Sequence, residues 1–300
     1  MFSGEALALS AALCWAVCAI CFSAAIRRVG SLSVNLLRLM LAFLFLALYG
    51  AVTRGHWLPT DAGAHEWLWL LLSGLVGFFV GDMFLFRAFL EIGPRISTLV
   101  MSSAPIVAAV GGWLWLGERI GLVGLCGMTV TLGGIAWVVL ERRTDGEGER
   151  IHVSRRGVFF AFVGAMGQGL GLVLAKHGMT LPGGGNYDAF AATQIRAVAG
   201  LICFTALLAY RGRLRGTMVA MKTPPVAAAV TLGALVGPFL GVAFLLRATQ
   251  LIPTGIAQTL AATVPVMILP FVILVEKERL SWRAGIGALI AVLGVALLFQ

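Results

Sequence analysis

The sequence predicts an all-α integral membrane protein, with ten transmembrane helices forming two inverted five-helix repeats around a central cavity. Three observations lead there. Of 300 residues, 60% are hydrophobic and 12% charged, and the mean hydropathy is +0.97, which leaves too little polar surface to solvate two soluble domains. Apolar runs of about 20 residues follow one another between short polar breaks, each long enough to cross roughly 30 Å of hydrocarbon as a helix. A stretch also occurs twice. Phe84-Leu85-Phe86-Arg87-Ala88, Ile92, Ile96, Pro105 and Glu118-Arg119 return as Phe244-Leu245-Leu246-Arg247-Ala248, Ile252, Ile256, Pro265 and Glu278-Arg279, at a constant offset of 160 residues (247 minus 87). The agreement extends from Gly77 and Gly81 against Gly237 and Gly241 to Gly127 and Gly134 against Gly287 and Gly294. Register kept over such a span marks two copies of one unit.

In chain order, the pattern places helices at 5–26, 32–52, 66–89, 95–116, 120–140, 156–177, 188–210, 224–247, 254–275 and 281–299. Their all-round hydrophobicity excludes surface helices, which need a polar stripe. Only Met1 to Glu5 precede the first, without a basic leader, so it is read as an uncleaved span. The one hydrophilic linker contains Thr144-Asp145-Gly146-Glu147-Gly148, and it divides a first repeat, 1–140, from a second, 156–300, with 141–155 between them. Pro182-Gly183-Gly184-Gly185-Asn186 marks the turn between helices six and seven. Pro224-Pro225 opens helix eight, where the missing N–H of proline costs least. Five helices per unit is an odd number, so the second copy enters the membrane from the opposite side. Inverted repeats of this kind build a midplane site that opens to either face.

Basic residues set the orientation. The loops after helices one, three, five, seven and nine carry Arg27, Arg28, Arg87, Arg95, Arg142, Arg143, Arg150, Arg155, Arg156, Arg211, Arg213, Arg215, Lys222, Lys277, Arg279 and Arg283, against Arg54, Arg119, Lys176 and Arg247 on the opposite face. The richer face is expected in the cytoplasm of a cell inner (plasma) membrane, with both termini outside. The net charge of +9 then reads as a topology signal and a contact with anionic membrane lipid, not as a nucleic-acid groove.

The doubled pattern of Arg-Ala, a turn, proline in the next helix, Glu-Arg at its end and a glycine-containing closing helix resembles the EamA branch of the drug/metabolite transporter superfamily. The resemblance covers nearly the whole chain. It implies a cavity lined by helices one to four and six to nine, peripheral fifth and tenth helices, and an exporter of amino acids, other metabolites or drugs. The matched pairs Glu118-Arg119 and Glu278-Arg279 sit at helix ends and read as structural.

Charges inside spans are costly and mark cavities, partners or interfaces. Arg38 in Asn35-Leu36-Leu37-Arg38 parallels Arg196 in Thr193-Gln194-Ile195-Arg196. Each either holds a carboxylate or phosphate in its guanidinium fork or snorkels to the interface. Asp82 in Gly81-Asp82-Met83 has Val242 as its counterpart; it either carries a coupling proton or a substrate ammonium, or forms a fixed ion pair with Arg38 or Arg87. Gln168, Gln194, Gln258, Asn35, Ser102, Ser103 and Thr263 can orient a ligand or join helices by hydrogen bonds. Gln168 leads this group, in Gly167-Gln168-Gly169 and aligned with Trp15 of helix one. Trp15, Phe78, Phe79, Trp113 and Trp115 either stack on a ligand or pack. Pro105 and Pro265, at equivalent points of helices four and nine, are expected to kink them and act in gating. Gly233, Gly237 and Gly241, with Gly77 and Gly81, permit close helix approach.

Enzyme chemistry is not expected. Cys14, Cys18 and Cys21 share a helix face without a histidine or acid, and with Cys126 and Cys203 they read as packers. Gly167-Gln168-Gly169-Leu170-Gly171 imitates a dinucleotide fingerprint but lies in a span without a preceding strand. No cofactor or metal is expected. The reading is a secondary-active exporter of amino acids or related small metabolites, working by alternating access, with Arg38 or Arg196, Gln168, Asp82, Trp15, Phe78, Phe79 and Gln258 at its site and protons as a coupling ion. The competing readings are a multidrug exporter and an integral-membrane enzyme acting on lipid-linked substrates.

Overall fold

The computed structural model describes residues 3–140, 154–271 and 282–299. The linker at 141–153 and Lys277, Glu278 and Arg279 lie outside the described residues. The first repeat contains α1 (Gly4–Val29), α2 (Ser31–Arg54), α3 (Ala64–Gly74), a π-helix π1 (Leu75–Gly81), α4 (Asp82–Met101), α5 (Ala104–Leu116) and α6 (Leu122–Leu140). The second contains α7 (Arg155–Met179), α8 (Ala189–Tyr210), a short α9 (Leu214–Ala220), α10 (Pro224–Ala234), π2 (Leu235–Gly241), α11 (Val242–Thr249), α12 (Thr254–Ala261), α13 (Val264–Phe271) and α14 (Trp282–Leu298). Among the described residues, eight helices are long and apolar enough to cross a membrane, and Thr254–Ile268 and Gly285–Leu298 are shorter apolar helices.

The two π-helices share the pattern Leu-Val-Gly-x-Phe-x-Gly at the 160-residue offset. A π turn widens the helix by one residue, and glycine in its wall lets a neighbour approach. The first helix of each repeat fills the groove of the other. Helix α7 packs along α3, π1 and α4, while α1 packs along α10, π2 and α11. A Cβ on Gly167 of α7 would lie 2.8 Å from Gly81 Cα, so backbone meets backbone there. On the other side, Gly237 and Gly241 meet the side chains of Cys18 and Trp15. At the periphery, α6 and α14 pack with Gly127 on Gly294 and Gly134 on Gly287, so the two helices run in opposite directions along their contact.

Helices four and nine differ from expectation. The turn expected between 89 and 95 is helical, and the break comes later, at Ser102–Ser103, matched by Ala262–Thr263 in the second half. Both breaks are closed by a hydroxyl at the same repeat position: Ser103 Oγ donates to Val100 O and Thr263 Oγ1 to Leu260 O, each at 2.7 Å. Pro105 and Pro265 therefore stand in the first turns of α5 and α13, and mark interruptions where mid-helix kinks were expected. Gln250–Pro253 does break the second half, with Pro253 at φ −56° and ψ 140°. The difference follows from what precedes each proline. Pro253 follows Ile252, whose branched Cβ clashes with the ring in helical conformation; Pro94 follows Gly93, which has no Cβ to clash.

One end of the bundle gathers the links between segments expected on one face. There Arg54 pairs with Asp61, and Tyr187 Oη donates to Asp61 Oδ1 at 3.2 Å. Lys176 Nζ reaches Ile252 O at 3.1 Å, and Gly4, at the start of α1, abuts Ile252. Because Leu298 lies on Gly127, near the start of α6, both ends of the described chain share this side. At the other end, Arg156 faces Glu91 at 3.6 Å.

Candidate functional site

The interrupted helices and the two π turns converge on a cavity of about 300 Å³. Trp15 and Cys18 come from α1, Arg38 from α2, Phe78 from π1, Asp82, Leu85 and Met101 from α4, and Gln168 from α7. Gly237 and Pro238 of π2, Val242 of α11, and Gln258 and Ala261 of α12 also line the cavity. Ser102, Ala104, Ala262, Val264 and Pro265 close it at the helix breaks.

Polarity is concentrated on one side. Arg38 Nη2 forms an ion pair with Asp82 Oδ2, and Gln168 Nε2 donates to Asp82 Oδ1 at 2.9 Å and to Gly77 O at 3.3 Å. The side chains of Arg38 and Asp82 are only 14% and 11% exposed, so each compensates for the water the other has lost. Of the partners the sequence left open for Asp82, the structure selects Arg38; Arg87 is exposed. The Arg38 guanidinium also lies 5.7 Å from the Phe22 ring centroid.

Arg196 lies beneath this layer. It is 5% exposed, its guanidinium stacks 4.7 Å from the centroid of Phe78, and its Nη2 would be 3.2 Å from a Cβ on Gly77. It does not snorkel to an interface. Its charge is close enough to Asp82 for the two to attract. The Nε atoms of Arg38 and Arg196 are both buried without a hydrogen-bond partner.

The structure thus brings Trp15, Arg38, Phe78, Asp82, Ser102, Gln168, Gln258 and Pro265 into the lining of one cavity, with Arg196 behind Phe78. Phe79 turns away and packs edge-on to Phe204 at 5.1 Å. Pro105 is buried next to the wall residue Ala104. Asn35 Nδ2 donates to Ser31 O of its own helix at 3.2 Å and Gln194 Nε2 to Trp57 O of the loop after α2 at 2.9 Å, so both amides are spent on backbone carbonyls. Trp113 and Trp115 are exposed on the outside of α5. Sequence reasoning missed Cys18 and Pro238 as wall residues. Pro238 had a signal, since it stands inside the repeated π motif where the first half has Phe78.

Glu118 forms a second, separate cluster. It pairs with Lys176 Nζ at 2.6 Å and accepts the Thr254 N–H at 2.8 Å and the Thr254 hydroxyl at 2.7 Å. A loop of the first repeat thereby caps α12 of the second, consistent with a structural role for this acid. No group of three histidine, cysteine, aspartate or glutamate residues able to hold a metal occurs among the described residues.

Comparison with known proteins adds to this geometry. The model of the EamA-like transporter family matches residues 2–140 and 155–300. No curated protein matches the sequence. A solved structure described as "Crystal structure of protein" aligns over 98% of this chain and 95% of its own, at 19% identity and a TM-score of 0.70. Such identity speaks for the fold alone.

Proposed function

The chain belongs to the EamA-like transporter family, and from that premise we propose that this multi-pass membrane transporter is a secondary-active exporter of small carboxylate-bearing metabolites, amino acids and their relatives. The observation that carries this reading is the Arg38–Asp82 pair with Gln168, set into an otherwise largely apolar cavity. A guanidinium there can donate two parallel hydrogen bonds to a carboxylate. Trp15, Phe78, Pro238 and Val242 receive the apolar body, and Gln168 and Gln258 fix its orientation.

Ten spans in two inverted units supply the mechanism in this reading. The antiparallel contact of α6 with α14, the reciprocal packing of α7 on π1 and α1 on π2, and the paired helix breaks support it. Rocking of one half against the other exposes the cavity to either side in turn. The arginine-rich end faces the cytoplasm of the plasma membrane, and both termini lie outside.

Counterflow in proteoliposomes tests the proposal, with amino acids, nucleosides, organic phosphates and cationic drugs loaded against labelled tracers. Saturable exchange of a carboxylate compound, lost in Arg38→Ala, is the expected result. Exchange of cations alone, indifferent to that substitution, would instead favour the multidrug reading, which the aromatic and apolar wall also accommodates. Flux that depends on a pH gradient in wild type and loses that dependence in Asp82→Asn would assign the coupling proton to Asp82; a dependence that survives rules Asp82 out.

A further inference from the structure

The buried charges of the cavity do not balance. Arg38 and Arg196 are two cations, and among the described residues Asp82 is the one acid beside them. The other acids of the described spans are engaged away from the cavity: Glu5 and Glu66 in first turns, Glu91 within α4 facing Arg156, and Glu118 paired with Lys176. A net positive charge inside a membrane is costly until an anion answers it. Hydrogen-bonding capacity is equally one-sided. Two guanidiniums offer about ten N–H donors, yet Asp82 is their shared carboxylate, and Nε of each arginine is buried and unpartnered. The site is short of one negative charge and of several acceptor oxygens.

Arg196 has the position to use that imbalance. Its Nη2 lies beside Gly77, five residues before Asp82, and Gln168 spans the interval by donating to both Gly77 O and Asp82 Oδ1. Resting on the proposed transport function, we infer that Arg196 is the reserve counter-ion of Asp82, and that the cavity selects substrates with a net charge of about −1 over zwitterions and cations of the same shape. The incoming carboxylate takes Arg38 from Asp82. Asp82 turns to Arg196, and the buried set of two cations and two anions becomes neutral. Arg196 is then a positioning residue, because it acts through Asp82. The substrate class within the carboxylates is the monoanions: acids without an amino group, or amino acids with an acidic side chain.

Three probes with one carbon skeleton and different charge test this: 4-methyl-2-oxopentanoate (anion), leucine (zwitterion) and leucinol (cation). Each is measured by counterflow in proteoliposomes and by thermal unfolding of the purified protein in detergent. Wild type is expected to exchange the oxo acid with an apparent affinity about tenfold or more above that of leucine, the order set by one unit charge at this range. Arg196→Gln removes one positive charge and is expected to erase or reverse that preference, while Arg196→Lys keeps it. Equal exchange of oxo acid and leucine by wild type, or a preference for leucine or leucinol, overturns the charge rule and leaves the transporter reading standing. The same holds if an Arg196→Gln protein that unfolds like wild type keeps the wild-type preference. If Arg196→Gln does not fold, the wild-type series and Arg196→Lys decide alone, since loss of the preference in Arg196→Lys would also refute the rule. Failure of wild type to exchange any of the three would refute the proposed transport function, and the charge rule with it.

Discussion

The groove of π1 filled by α7 and the groove of π2 filled by α1 are the same backbone device with different chemistry. Both are seven-residue π turns at equivalent repeat positions, each closed by a glycine. In π2 the following residue, Val242, donates its N–H to Gly237 O. In π1 that residue is Asp82, whose N–H goes to Phe79 O, while Gly77 O, the equivalent carbonyl, accepts a side chain, Gln168. Where Gln168 lies over Gly81, Trp15 lies over Gly241; where Phe78 lines the cavity, Pro238 faces it. Duplication supplied the frame twice, and polarity was installed once. A pocket with one polar and one apolar wall can bind an amphipathic ligand in a single orientation, which two identical walls cannot do.

The sharpest way to break the comparison is to remove the acid. Asp82→Ala strands Arg38 as a buried unpaired cation and is expected to cost about 3–5 kcal/mol and to abolish exchange. Its mirror, Val242→Ala, removes only a few apolar atoms and should cost roughly 1–2 kcal/mol. Thermal unfolding in detergent and counterflow read both. Comparable losses from the two substitutions would mean that the walls are not functionally distinct.

Packing supplies the next contrast. A Cβ on Gly167 would meet Gly81 Cα at 2.8 Å and Val76 O at 2.9 Å, whereas one on Gly237 would meet Cys18 Sγ at 2.8 Å. Both Gly→Ala changes overpack, at about 1–3 kcal/mol each. Cys18→Ala should restore stability to Gly237→Ala, because a side chain can be trimmed; no trimming of Gly81 or of a carbonyl can rescue Gly167→Ala. A double-mutant cycle on unfolding temperature checks the first claim. Below these stands Glu118→Gln, which weakens the cap of α12 and the Lys176 pair and is expected to cost about 1–2 kcal/mol, with substrate preference unchanged in counterflow.

The duplicated frame was legible because register and hydropathy are properties of the chain itself. Arg38, Asp82 and Gln168 were legible as well, since charge or amide inside an apolar run needs a partner. The π turns were not, although their motif was printed twice. Hydropathy cannot distinguish a hydrogen bond that skips four residues from one that skips five, and the glycines that carry the turn also serve as packing residues. Helical rotation was likewise hidden: Phe78 and Phe79 are neighbours in sequence, yet one lines the cavity and the other packs on Phe204. Pro105 and Pro265 announced a disturbance, but hydroxyl donation from Ser103 and Thr263, which converts a kink into a break, depends on a geometry that composition does not contain.

The smallest expected effect concerns the two residues at equivalent positions in the first helices of the two repeats, Gln168 against Gly81 and Trp15 against Gly241. Gln168→Leu removes hydrogen bonds of 2.9 and 3.3 Å from Asp82 and Gly77 O while leaving the ion pair intact, so the cost should be about 1 kcal/mol. Trp15→Phe keeps an aromatic body against Gly241 and should cost about the same through lost packing. Stability therefore does not separate them, and transport does. Without Gln168, Asp82 loses its second anchor and rotates more freely toward whichever arginine is available, so the KM for a carboxylate substrate should change by about three- to tenfold. Trp15→Phe should alter KM for ligands with bulky apolar bodies and leave small carboxylates unaffected. If both substitutions shift KM for small and bulky ligands alike, the polar and apolar walls do not divide the ligand between them.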